Sequence, residues 1–193
     1  FNVLGMAKQN TTLLRPILFN LMIATPLSIV LAIVSGLVDN AAIDYLVMAL
    51  GVTALYFTDY CCNGLTASLI YQQVTTGSAS MDEAMAQTKK SAGGIMIFAA
   101  ISALFDLLVS LTDRRSVWGK IVAQIVYMVW TTATYAVMPT MVLEGVSFGQ
   151  AFSRSKELMK QDPTEVGAGV LGIGLMNWII NAAFFFIAFK GSG

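Results

Sequence analysis

The chain has 193 residues, of which 56% are hydrophobic and only 11% charged, with a mean hydropathy of +0.72 and a formal net charge of zero. Soluble domains carry about a quarter charged residues, so this balance excludes an ordinary water-soluble globule, and neutrality leaves no basic footprint for nucleic acid. Histidine is absent, which removes the commonest general base and metal ligand. With no nucleophile–base pair or metal-ligand spacing visible either, the reading is of a non-enzyme without cofactor or metal.

A bilayer core about 30 Å thick needs roughly 20 apolar residues per helix. Five runs meet or approach that length: Ile17–Val38, Tyr45–Tyr71, Ile95–Leu111, Val117–Val142 and Val166–Phe189. Strands of a membrane barrel alternate in polarity over about ten residues, and Ile95-Met96-Ile97-Phe98-Ala99-Ala100 does not. The expected fold is therefore all-α: a polytopic helical membrane protein with five transmembrane helices in one domain spanning 1–193. Asp39-Asn40 and Asp44 mark the turn after the first run, and Thr112 to Ser116 the turn after the third. Pro26 and Pro139 fall inside runs, where each removes a helix hydrogen bond and is expected to bend its helix. Trp118 fits an interfacial anchor. Adjacent Cys61 and Cys62 read as two small buried apolar residues.

Two gaps between the runs match each other. Ser80 to Lys89 aligns without gaps on Ser147 to Lys156, and each copy opens with a capping box, Ser80-x-x-Glu83 and Ser147-x-x-Gln150. In such a box the serine and the N3 side chain reciprocally satisfy amides at the helix start. Phe148, Ala151, Phe152, Ser155 and Met159 then share one helical face, and Met81, Ala84, Met85 and Thr88 repeat that stripe. Amphipathic helices of this kind suit a membrane interface. A weaker third copy, Leu4-Gly5-Met6 with Lys8, precedes the first run. The implied unit is an amphipathic helix followed by two crossings, giving units 1–74, 80–142 and an incomplete 147–193. A sixth span is expected beyond this sequence. Phe1 is not an initiator, and Gly191-Ser192-Gly193 reads as an appended tail or the start of a native loop.

Lys8, Arg15, Lys89, Lys90, Arg154, Lys156 and Lys160 lie on the N-terminal side, against Arg114, Arg115, Lys120 and Lys190 on the other. Positive charge marks the cytoplasmic side, which places the N-terminus and both amphipathic helices there. Lys89, Lys90, Arg154, Lys156 and Lys160 are the expected contacts to lipid or to a partner protein.

Asp59 lies midway along Tyr45–Tyr71, with Asn63 one turn on and Tyr56 and Thr66 on the same side. A carboxylate at a helix centre costs about 2.5–3.5 kcal/mol on insertion scales and belongs in the bundle interior or a watery cavity. Thr131, Thr132, Tyr135, Asn177 and Asn181 fall at comparable depth, completing a candidate midplane polar site with Asp59 and Asn63. Asp106 is a secondary intramembrane carboxylate in the outer third of its run. The competing reading makes these residues interhelical glue, worth about 0.6 kcal/mol per contact. Gly167, Gly169, Gly172 and Gly174 favour close helix packing, and the eleven methionines are too scattered for a soft-metal site.

Met6-Ala7-Lys8-Gln9, Tyr56-Phe57 with Asn63-Gly64-Leu65, and Trp130 through Pro139 followed by Leu143-Glu144-Gly145 and Ala151-Phe152-x-x-Ser155 carry a resemblance. The chain resembles a family of bacterial six-span integral membrane proteins of unknown function, similar in turn to the membrane domain attached to some glycerophosphodiester phosphodiesterases. The resemblance implies a bacterial inner-membrane location and no catalytic residues, since the phosphodiesterase chemistry belongs to a separate domain. The functional expectation is a pathway or pocket for a small or lipid-like solute, formed by an oligomer. Its alternative is a scaffold that binds lipids or partner membrane proteins through the amphipathic helices.

Overall fold

The computed structural model describes residues 10–110, 130, 134 and 136–161, and among these every regular element is helical. A 3₁₀ turn, Thr11–Leu14, leads into α1 (Arg15–Leu37). Then follow α2 (Ala41–Thr76), α3 (Met81–Lys90), α4 (Ala92–Ser110), α5 (Val137–Glu144) and α6 (Phe148–Gln161).

The α1–α2 hairpin is closed by amides at both ends. Asn40 accepts from the backbone N–H groups of Ala42 and Ile43 at 3.0 and 3.3 Å, capping α2. At the other end Asn10 accepts from the Thr12 N–H at 3.1 Å and donates to Gln73 at 3.0 Å. Pro16 sits in the first turn of α1, where a missing N–H leaves no intrahelical bond unmade. Gly51 seats Leu31 so closely that a Cβ there would lie 2.1 Å from a leucine methyl. α2 runs for 36 residues, roughly 54 Å at 1.5 Å per residue, and so extends past a hydrocarbon core about 30 Å thick. It stops at Gly77, and α5 stops at Gly145, with φ of 77° and 67°. Glycine takes that left-handed conformation without a Cβ penalty.

Residues Thr11–Leu37 and Ala41–Thr76 are long and apolar enough to cross a membrane. α3 and α4 together would make a third crossing as one broken span, bent by 66° between them. Ser91 sits at that bend, where its backbone N–H is held by Gln87 and Thr88 while its hydroxyl donates to the Met141 carbonyl at 2.9 Å. The run Val166–Phe189, most of Val117–Val142, Trp118, the four glycines from Gly167 to Gly174 and the third repeat copy at Leu4 lie outside the described residues.

α1 turns large apolar side chains outward along its length. Leu21, Met22, Ile33 and Leu37 are each more than half exposed, as a helix turned to lipid would be. The dense core lies where Ile95 and Phe98 of α4 meet Val137, Met138, Met141 and Val142 of α5 and Ala151 of α6. Tyr60, Phe98 and Phe148 stack with ring centroids 4.4 and 5.5 Å apart, and Phe148 meets Phe152 at 6.0 Å. Gly64 lets α2 approach this core, because a Cβ there would come within 2.9 Å of Val142.

The two amphipathic helices bury matching positions, Ala84 and Thr88 in α3, Ala151 and Ser155 in α6. Lys89, Lys90, Arg154, Lys156 and Lys160 are all exposed. Lys156 lies over the Phe152 ring at 4.7 Å, and Arg154 pairs with Glu157 at 3.2 Å. Neither capping box closes in both directions. Ser80 accepts from the Glu83 N–H at 3.5 Å, but its own N–H goes to Gln72 at 2.8 Å. The Ser147 N–H goes to Gln150 at 3.1 Å, and the Ser147 hydroxyl donates to the same oxygen at 2.9 Å. Gln72 outcompetes Glu83 because α2 overshoots far enough to bring its side chain to the start of α3.

Most of the run before Pro139 lies outside the described residues, and with it the bend expected there. α5 begins at Val137, which places Pro139 in the first turn, where its missing N–H removes nothing. Pro26 does lie within α1, and the helix runs through it.

Candidate functional site

Asp59 is reached from three helices. Leu55, Tyr56 and Asp59, with Val52 a turn earlier, fall at helical spacing along one side of α2. Asn20 and Ala24 face them from α1, and Asp106 from α4. Together these residues line an open cavity of about 380 Å³. Asp59 lies 14 residues before Gln73, the α2 residue joined to Asn10, roughly 20 Å along the helix axis. The cavity is therefore deep within the apolar length of α2.

Both Asp59 oxygens are occupied. Oδ1 accepts from the Asn20 amide at 2.8 Å, and Oδ2 accepts from Asn63 at 3.1 Å. Asp106 accepts from the Tyr56 hydroxyl through a short hydrogen bond. One turn along α2, Tyr60 donates to Ser102 of α4 at 2.8 Å, so two tyrosines tie α2 to α4 beside the cavity. Among the described residues neither Asp59 nor Asp106 has a cationic partner. The Asn20 Oδ1 is enclosed and accepts nothing there. That orientation follows from chemistry: a carboxylate only accepts, so the Asn20 N–H₂ must face Asp59 and its carbonyl must point away.

Asp59 and Asn63 meet as expected. Thr131, Thr132, Tyr135, Asn177 and Asn181 lie outside the described residues. Thr66 turns back to the Cys62 carbonyl at 2.9 Å and takes no part. Asp106, read as a secondary carboxylate in the outer third of its run, lines the same cavity as Asp59. The reason is Tyr56, whose ring bridges from the Asp59 face of α2 to α4. Asn20 is the residue that sequence reasoning missed. It is the sole amide side chain in the run Ile17–Val38, and an isolated amide in an otherwise apolar span is the signal that would have found it. Cys62 is buried and Cys61 half-buried, both as free thiols.

Residues 42–192 match the model of a family described as a family of unknown function, DUF6159. The chain belongs to that family. The DUF6159 match takes in Tyr56, Asp59, Asn63 and Asp106, while Asn20 and the rest of α1 precede it. No curated protein and no solved structure matches the chain.

Proposed function

We propose that this is a non-enzymatic integral membrane protein that forms a pathway or pocket for a small or lipid-like solute, assembled as an oligomer in a bacterial inner membrane. The observation that carries the reading is the cavity between α1, α2 and α4, lined by two carboxylates and an amide on otherwise apolar walls. Two carboxylates at such depth are costly unless they face water, a partner or a ligand, and solute sites in transporters lie near the membrane midplane. The reading includes five crossings in this sequence and a repeated unit of one amphipathic helix and two crossings. The matched burial of Ala84 with Ala151 and Thr88 with Ser155 supports the repeat. Positive charge on α3 and α6 supports a cytoplasmic N-terminus. The kinship to the membrane domain of glycerophosphodiester phosphodiesterases rests on the sequence motifs alone.

The test is uptake of radiolabelled rubidium, ethanolamine and glycerol into proteoliposomes holding the whole protein. At least one solute should enter faster than into empty liposomes, and Asp59→Asn should slow it. Unchanged entry in that isosteric variant favours the second reading, a scaffold presenting α3 and α6 to lipids or partner proteins. The exposed cations of both helices are the observation behind that alternative.

A further inference from the structure

The hydrogen bonds that line the cavity run one way. Asn20 donates to Asp59 and Tyr56 donates to Asp106, while Asn63 supports Asp59 from the side, itself exposed and apart from the cavity lining. The capacity left facing the cavity is therefore mainly acceptor, the remaining lone pairs of the two carboxylates that line it. Neither carboxylate is neutralised by a described cation. Ala24, Val52, Leu55 and the Tyr56 ring supply the rest of the wall. The volume, about 380 Å³, exceeds the roughly 30 Å³ share of a single water by an order of magnitude.

From this arrangement we propose that the cavity takes a small organic ammonium, an N–H-bearing cation on a short carbon stem. Its N–H groups complement the two carboxylates, its charge offsets theirs, and its stem lies on the apolar wall. Charge-assisted hydrogen bonds of this kind are about twice as strong as neutral ones. The inference rests on the pathway-or-pocket reading and names its ligand class. The ammonium belongs either to a free amine or to the headgroup of an aminolipid, since both present the same chemistry.

The experiment is equilibrium binding to the whole protein in phosphatidylcholine nanodiscs, with three radiolabelled probes of nearly equal size: ethanolamine, ethylene glycol and glycolate. Ethanolamine should bind saturably and at least about tenfold more tightly than the other two. The double variant Asp59→Asn, Asp106→Asn should lose that preference, and so should Ala24→Phe, which fills the cavity and leaves both carboxylates in place. Retention of helicity and of a monodisperse elution profile shows that each variant has folded. Competition by nanodiscs of phosphatidylethanolamine, absent with phosphatidylglycerol, assigns the ammonium to a lipid headgroup; its absence assigns a free amine. Stronger binding of ethylene glycol or glycolate overturns the ammonium assignment and leaves a pocket standing. Binding of none of the three overturns both, as does ethanolamine binding that survives in both variants.

Discussion

Asn20 donates to Asp59 across the α1–α2 interface at 2.8 Å, which makes a lipid-facing helix answerable to a half-buried carboxylate. Among the described residues α1 makes no other side-chain hydrogen bond to the bundle along its apolar length, so this bond and the Leu31–Gly51 contact set its register against α2.

Asn20→Leu should therefore loosen α1 while leaving the remaining core intact. Interhelical hydrogen bonds in membranes average about 0.6 kcal/mol and reach roughly 1.7, and the loss here falls at the upper end because a carboxylate loses its donor. Thermal denaturation in detergent should show a modest fall in midpoint. Asp59→Asn, which keeps a side chain of the same shape, should fall less.

Gly64 and Gly93 offer a contrast within the same bundle. A Cβ at Gly64 meets Val142, a short buried side chain with nowhere to move, whereas one at Gly93 meets nothing within 4 Å. Gly64→Leu should destabilise by about 1–3 kcal/mol through overpacking, and Gly93→Ala should stabilise by about 0.4–1 kcal/mol by restricting the unfolded chain. The same denaturation measurement reads both, and equal shifts would contradict the packing described for α2.

Phe98 stacks between Tyr60 and Phe148 and is nearly fully buried. Phe98→Ala should cost about 3–5 kcal/mol and reduce the yield of monodisperse protein, whereas Met96→Ala, on the exposed side of α4, should not.

Orientation is tested by labelling. In a Cys61→Ala, Cys62→Ala background, Ser153→Cys on the exposed face of α6 should react with a membrane-impermeant maleimide in inside-out vesicles and not in intact cells. The reverse pattern would invert the topology.

Among the described residues the helical elements can be read in large part from residue chemistry alone. Ser80 and Ser147 before amphipathic stripes announce helix starts through groups that act over three or four residues, and Asp39-Asn40 announce the turn between α1 and α2. The cavity is less legible because its parts are 39 to 50 residues apart. Asp59 shows itself, since a carboxylate amid apolar residues is conspicuous. Asn20 does not, because one amide in a span is cheap enough to pass for glue, and its meaning depends on the antiparallel register of α1 against α2. Counting residues along its run gives the depth of Asp106 but not its neighbour, since the Tyr56 bond comes from a helix 50 residues away in sequence. The reciprocal capping boxes failed at Ser80 for a similar reason, since Gln72 reaches its N–H from the end of a neighbouring helix.

The central claim is that Asp59 faces a cavity open to water rather than a sealed polar contact. It is tested most directly by thiol accessibility in the same cysteine-free background. Val52→Cys and Ala24→Cys, both on the cavity wall, should react with a membrane-impermeant methanethiosulfonate carrying a positive charge, and ethanolamine should protect them. Ile33→Cys, on the exposed face of α1, should remain unmodified in the lipid. If the two wall positions are as inert as Ile33→Cys, the cavity is dry and the account of Asp59 as part of a solute site is wrong.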